Sequence, residues 1–193
     1  MINIYSINIK EVEKYYQKEL FGTTTVDDFS VSEEANKEEI KEFAKSLLIK
    51  KFVSERTDNN IYFSTSFSGH YYLIAIYSKQ IGIDIQRFVD IDARLINYAF
   101  DKNERGKSIS EADFARVSAL KKSLMKCAKV NQEIKLNDLS SNECDGSYIF
   151  DNENYVSLAK IYKEHYYIAI TYKGNCVDNI KINEINMEEI IGD

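Results

Sequence analysis

Two short polar signals bracket an apolar run in FSTSFSGHYYLIAIYSKQIGIDIQ, residues 63–86. The first is S-x-S-G, Ser66 to Gly69. The second is G-I-D-I-Q, in which Asp84 stands between Ile83 and Ile85, two positions after Gly82. An aspartate so placed either caps a turn after Gly82 or presents its carboxylate to a partner from a fixed strand end. Ser66 and Ser68 carry hydroxyls that can donate or accept, and ordinary strand-end serines would look the same. A third signal is electrostatic. Residues 114–130 hold Arg116, Lys121, Lys122, Lys126 and Lys129 and no acidic residue, in a chain of net charge -6. Such segregation points to an anionic partner rather than to a merely solvated helix face. Lys122, Lys126 and Lys129 recur at i, i+4 and i+7, one helical face, suited to phosphates or to an acidic helix.

The elements that must position these residues follow from periodicity. Ile2, Ile4, Ile7 and Ile9 alternate with a phase slip at Tyr5-Ser6, which predicts a bulged or edge strand at the start of the chain. KEVEKYYQKELFG reads as a short helix stopped by Gly22, and Ser32 or Asn36 as a candidate N-cap. Ile40, Phe43, Ala44, Leu47 and Leu48 form an apolar stripe over 37–53, an amphipathic helix with lysines beside it. Strands are predicted at 61–66, 70–77 and 80–88, and helical patterning returns from Ile91 to about Val130 with a break near Gly106. The remainder is strand-rich, with YVSLAKIYK and HYYIAITYK the strongest runs. HYYLIAIYSK at 70–79 and HYYIAITYK at 165–173 are near repeats of each other. Taken as a true repeat, they imply two α+β halves related by a pseudo-two-fold axis, with a cleft between them as the natural site.

Composition bounds the function. At 193 residues, with 44% apolar and 12% aromatic residues, the chain can bury a sizeable core. No apolar run reaches the roughly 18 residues of a membrane span. The opening MINIYSINIK lacks the sections of a signal peptide, and Cys127, Cys144 and Cys176 are odd in number and widely spaced. The expectation is a cytoplasmic protein with reduced thiols, a monomer by default. Neither the cysteines nor His70 and His165 fall at zinc-ligand spacing. The acidic balance argues against nucleic acid as a partner.

With G-I-D-I-Q placed at a strand end after S-x-S-G, the pattern resembles the 4'-phosphopantetheinyl transferases of the surfactin-synthetase type. In that family an N-[IVL]-S-H-S segment leads to G-[IV]-D-[IVL]-E, and W-x-x-K-E-[SA]-x-x-K follows on a helix about 35 residues later. Here SALKKSLMK, Ser118 to Lys126, occupies that place. AFDKNER, 99–105, looks like the family's F-F-x-x-x-E segment, and the opening strand and the helix at 37–53 are similar as well. The resemblance covers about residues 1–175. It implies two similar α+β halves, divided here as 1–92 and 93–193. The implied reaction is attack of a carrier-protein serine on the β-phosphorus of coenzyme A, releasing 3',5'-ADP. The partner would be an acyl or peptidyl carrier protein.

Carried over by position, Asp84 and Gln86 become ligands of Mg²⁺, the hard cation that suits a pyrophosphate under attack. Ser66 and Ser68 face coenzyme A near its phosphates, with Lys121 and Lys126, and Glu104 joins Asp84, Lys121 and Lys122 in the catalytic set. Four departures cluster on the chemistry. Phe67 replaces the motif histidine, Gln86 the closing glutamate and Ser118 the tryptophan, while Lys122 stands where the family has a metal-binding glutamate. An ammonium about 4 Å from a divalent ion is repelled by roughly 8 kcal/mol at an effective dielectric of 20. Three readings stay open: a transferase with a reduced metal site, one in which Lys122 stabilises the pyrophosphate directly, and a non-catalytic module that binds a carrier protein or another partner.

Overall fold

The computed structural model describes residues 1–21, 33–54, 61–106, 108–130, 134–140, 146–175 and 178–192. The candidate cap Ser32, the stop at Gly22, and Cys144 and Cys176 lie outside the described residues. Among the described residues the fold is α+β, with two sheets and five α-helices. In chain order the elements are β1 (Ile2–Asn8), α1 (Ile9–Phe21), α2 (Glu33–Ile49), β2 (Tyr62–Ser68), β3 (Tyr71–Tyr77), β4 (Ile81–Arg87), α3 (Ala93–Ala99), α4 (Glu111–Ala128), β5 (Gly146–Phe150), β6 (Glu153–Tyr162), β7 (Tyr166–Lys173), β8 (Ile180–Ile185) and α5 (Met187–Ile191). A π-helical turn, Lys50–Ser54, follows α2, and a 3-10 turn, Glu104–Gly106, precedes α4.

The first sheet has the order β2-β3-β1-β8 and the second β4-β7-β6-β5. Both place a late strand between earlier ones: β3 pairs antiparallel with β1 and β2, and β7 pairs antiparallel with β4 and β6. The two near-repeated segments are therefore the central strands β3 and β7. Each sheet is built as strand, helix and returning hairpin. The sheets pack face to face through Ile2, Ile4, Leu73, Ala75, Ile81, Ile83, Ile85, Ile168 and Ile170. Ile7, Val12, Ile40, Ala44, Leu48, Ile74 and Ile76 fill the layer between the first sheet and its helices, and Ala119, Leu120, Leu124, Cys127 and Ala169 the layer under α4.

Two expectations need correction. β1 is an interior strand, not an edge or a bulge. Its phase slip reflects burial on both faces, Ile4 and Ser6 toward the second sheet and Ile7 toward the helices. The first sheet is mixed, because β8 pairs parallel with β1. The sheets do not divide at residue 92, since β4 belongs to the second sheet and β8 returns to the first. Among the described residues no helix is long and apolar enough to cross a membrane.

Candidate functional site

Strand alternation decides what β4 offers to each side. Ile81, Ile83 and Ile85 enter the core between the sheets, so Gly82, Asp84 and Gln86 face α4. Gly82 is what lets the helix come close. A Cβ there would lie 2.1 Å from the Ser123 carbonyl oxygen and 2.6 Å from the Cys127 nitrogen. Small side chains continue this surface: Ser123 Oγ meets Thr171 Oγ1 at 2.7 Å, which meets Ser157 Oγ at 2.5 Å, all fully buried. α4 starts from a capping box between Ser110 and Asp113 and runs down onto β4, bringing Lys122 over Gln86 and Lys126 over Asp84.

β2 lies beside β4 along one border of the two sheets, and the join has an unusual chemistry. The N–H groups of Ile83, Ile85 and Arg87 donate to the hydroxyls of Ser64 at 3.1 Å, Ser66 at 3.2 Å and Ser68 at 3.1 Å. Serine side chains at alternate positions thus take the place of a backbone ladder and satisfy the outward donors of β4. The acceptors at this seam are met by Lys126, whose Nζ donates to Thr65 O at 3.1 Å, Ile83 O at 2.9 Å and Asp84 Oδ1 at 2.7 Å. Ser66 Oγ also donates to Asp84 Oδ1, at 3.0 Å.

Asp84 is therefore mid-strand, held by Lys126 and Ser66, and caps no turn. Its other oxygen, Oδ2, is buried without a hydrogen-bond partner. Lys122 Nζ donates to Gln86 Oε1 at 3.1 Å and remains half-buried. Four positions carried over from the resemblance, Asp84, Gln86, Lys122 and Lys126, meet here from two elements about forty residues apart.

Other expected roles come out differently. Lys121 is fully buried and donates to Ala99 O and Glu104 Oε2, both at 2.7 Å, with the Phe100 ring 6.0 Å away. Its ammonium meets Glu104 inside the protein and cannot also reach a phosphate. Glu104 Oε2 accepts from the Asp101 N–H as well, at 2.7 Å. Ser66 and Ser68 spend their hydroxyls on the seam. Phe67 packs toward Tyr72 beneath the Lys41 ammonium, 4.8 Å from its ring. It lines a cavity of about 240 Å³ with Lys10, Lys37, Lys41 and His70. Ser118 is enclosed, its hydroxyl unpartnered. Ser64 and Thr65 belong to the site as well and carry no distinguishing signal in the sequence, since residues 64–68 alternate as any half-buried strand does.

As arranged, these donors do not suit a divalent cation. One Asp84 oxygen already bonds an ammonium and a hydroxyl, the other is closed off, and the Gln86 amide oxygen holds a second ammonium. Among the described residues no three His, Cys, Asp or Glu side chains gather to hold a metal. What the arrangement offers is positive charge: Lys122 donates one of its three protons, to Gln86 Oε1. Compared with protein-family models and with curated proteins, the chain matches none.

Proposed function

We propose that the chain is a 4'-phosphopantetheinyl-transferase-like protein that binds coenzyme A and an acyl or peptidyl carrier protein at the β2–β4 seam, with lysine in the place of Mg²⁺. The observation that carries this reading is the Lys122–Gln86 contact beside the Lys126–Asp84 pair. The resemblance brings these positions together for pyrophosphate chemistry, and an ammonium there can stabilise phosphate charge directly. The common connectivity of the two sheets supports two halves related by a pseudo-two-fold axis. Lys10, Lys37 and Lys41, which line the cavity beside Phe67 together with Glu13, Ile9 and Ile40, supply further positive charge for the remaining coenzyme phosphates.

In the transfer step the carrier serine oxygen forms a bond to the β-phosphorus. The bond from that phosphorus to the bridging oxygen breaks, 3',5'-ADP leaves with the electron pair, and the hydroxyl proton passes to water. Lys122 offsets the charge that gathers on the phosphate oxygens. The protein acts as a monomer in the cytoplasm, where coenzyme A and carrier proteins meet. A second reading, a non-catalytic module that holds a carrier protein or another partner, is favoured by one observation: Asp84 and Glu104 are both ion-paired, which leaves neither ready to take the serine proton. Incubation with coenzyme A and a panel of apo carrier proteins, in EDTA and in Mg²⁺, separates the two. A mass gain of one phosphopantetheine in EDTA supports transfer. Binding of a carrier protein without any mass gain selects the module, and neither binding nor transfer rejects both.

A further inference from the structure

We infer that the seam carries its own cation: the Lys126 ammonium is the resident positive charge of the Asp84 site, fixed by three oxygens from three different residues. The geometry is that of a coordinated ion rather than of a surface salt bridge. All three protons of Lys126 Nζ have acceptors, Thr65 O on β2, Ile83 O on β4 and the Asp84 carboxylate, at 3.1, 2.9 and 2.7 Å. The Asp84 side chain is 7% exposed and that of Lys126 36%, so the stem lies toward solvent while the charged end reaches partly buried acceptors at the rim of the seam. Asp84 Oδ2, enclosed and unpartnered, faces no opening through which a free ion could bind. A tethered ammonium needs no supply from solution and cannot be chelated away.

Two consequences follow. The first is that Lys126 closes the seam: it bonds a carbonyl from each strand where no backbone ladder joins them, beside the three serine hydroxyls that take the N–H groups. The second is a division of labour on α4. Lys126 neutralises the aspartate, and Lys122, one turn earlier, is left to meet an incoming anion. That second assignment rests on the functional reading above, whereas the resident cation does not.

The test reads thermal stability without coenzyme A. In the parent chain, MgCl2 is expected to shift Tm no more than NaCl at matched ionic strength. In Lys126→Ala, Thr65 O, Ile83 O and the Asp84 carboxylate face a vacancy of ammonium size. Its Tm is expected to fall below that of the parent and to recover with ethylammonium, rising with the logarithm of concentration as for any ligand of the native state. Tetramethylammonium, which has no N–H, serves as control and is expected to restore nothing. A parent chain stabilised specifically by Mg²⁺, or a Lys126→Ala chain no more responsive to ethylammonium than the parent, overturns the inference. Should Lys126→Ala not fold, Lys126→Met is compared with Lys126→Met plus Asp84→Asn. The account expects the double variant to be the more stable, because it removes both charges together. The reverse order rejects it. Failure of coenzyme A to bind would overturn the functional reading and leave these results unaffected.

Discussion

Two residues show how narrowly single side chains are fixed. Gly82 is required because α4 lies on it: in Gly82→Ala the new methyl would press on backbone atoms at 2.1 and 2.6 Å, which cannot turn aside. The expected loss is about 3 kcal/mol or more, read from urea unfolding, and Lys122 and Lys126 should move off β4 with the helix. An unchanged stability would mean that the helix does not sit so close. Cys127, on the same contact, is the second case. Burial raises its thiol from an ordinary 9.0 to about 12. The native chain keeps a proton that the unfolded chain releases, so the stabilisation is complete below pH 9.0 and declines as pH rises toward about 12. Burial also raises Tyr72 and Tyr162, with the same sign. Unfolding free energy should therefore fall as pH rises from about 9 toward about 12, and fall less in Cys127→Ala. Equal slopes for parent and variant would remove the thiol from the explanation.

At the scale of elements, α4 presents adjacent lysines to opposite fates. Lys121 turns into the protein to Glu104 and Ala99 O, while Lys122 lies over Gln86. Glu104→Gln strips the buried ammonium of its counter-charge and should cost about 3–5 kcal/mol, with Lys121→Met added to it recovering most of the loss. Should Glu104→Gln prove neutral by chemical denaturation, the pair does not hold the 100–106 segment. The G-I-D-I and S-x-S signals and the basic helix were legible because each is local, a two-residue or helical period. Which lysine faces inward was not, since α3 and the 3-10 turn that receive Lys121 are placed by packing of Phe100, Phe114 and Val117. Nor does a local pattern reveal that serine hydroxyls replace a ladder; Ser64, Ser66 and Ser68 alternate as any half-buried strand does.

At the scale of the whole molecule, the least legible feature is the return of the chain. β8 pairs with β1 from the far end of the sequence, Ile2 opposite Ile180 and Ile7 opposite Ile185, and α5 then buries Met187 and Ile190 under the first sheet. KINEINMEEI is too polar and too short to announce either element. A chain ending at residue 177 should lose about 3–6 kcal/mol from those two side chains alone, by thermal or urea unfolding. Retained stability would make β8 and α5 appendages.

The same whole-molecule view sets the functional question. A protein of net charge -6 gathers lysines along one helix and brings two of them onto β4, at Gln86 and Asp84. In the proposed function this seam binds coenzyme A by ammonium charge and without a divalent ion. Calorimetric titration of coenzyme A into the chain, once in EDTA and once in excess Mg²⁺, addresses it directly, with Lys122→Ala as the paired variant. Equal dissociation constants are expected in the two buffers, with binding weakened about tenfold, the worth of one charge-assisted hydrogen bond, in Lys122→Ala. Binding that appears only with Mg²⁺, or none in either buffer, would contradict it.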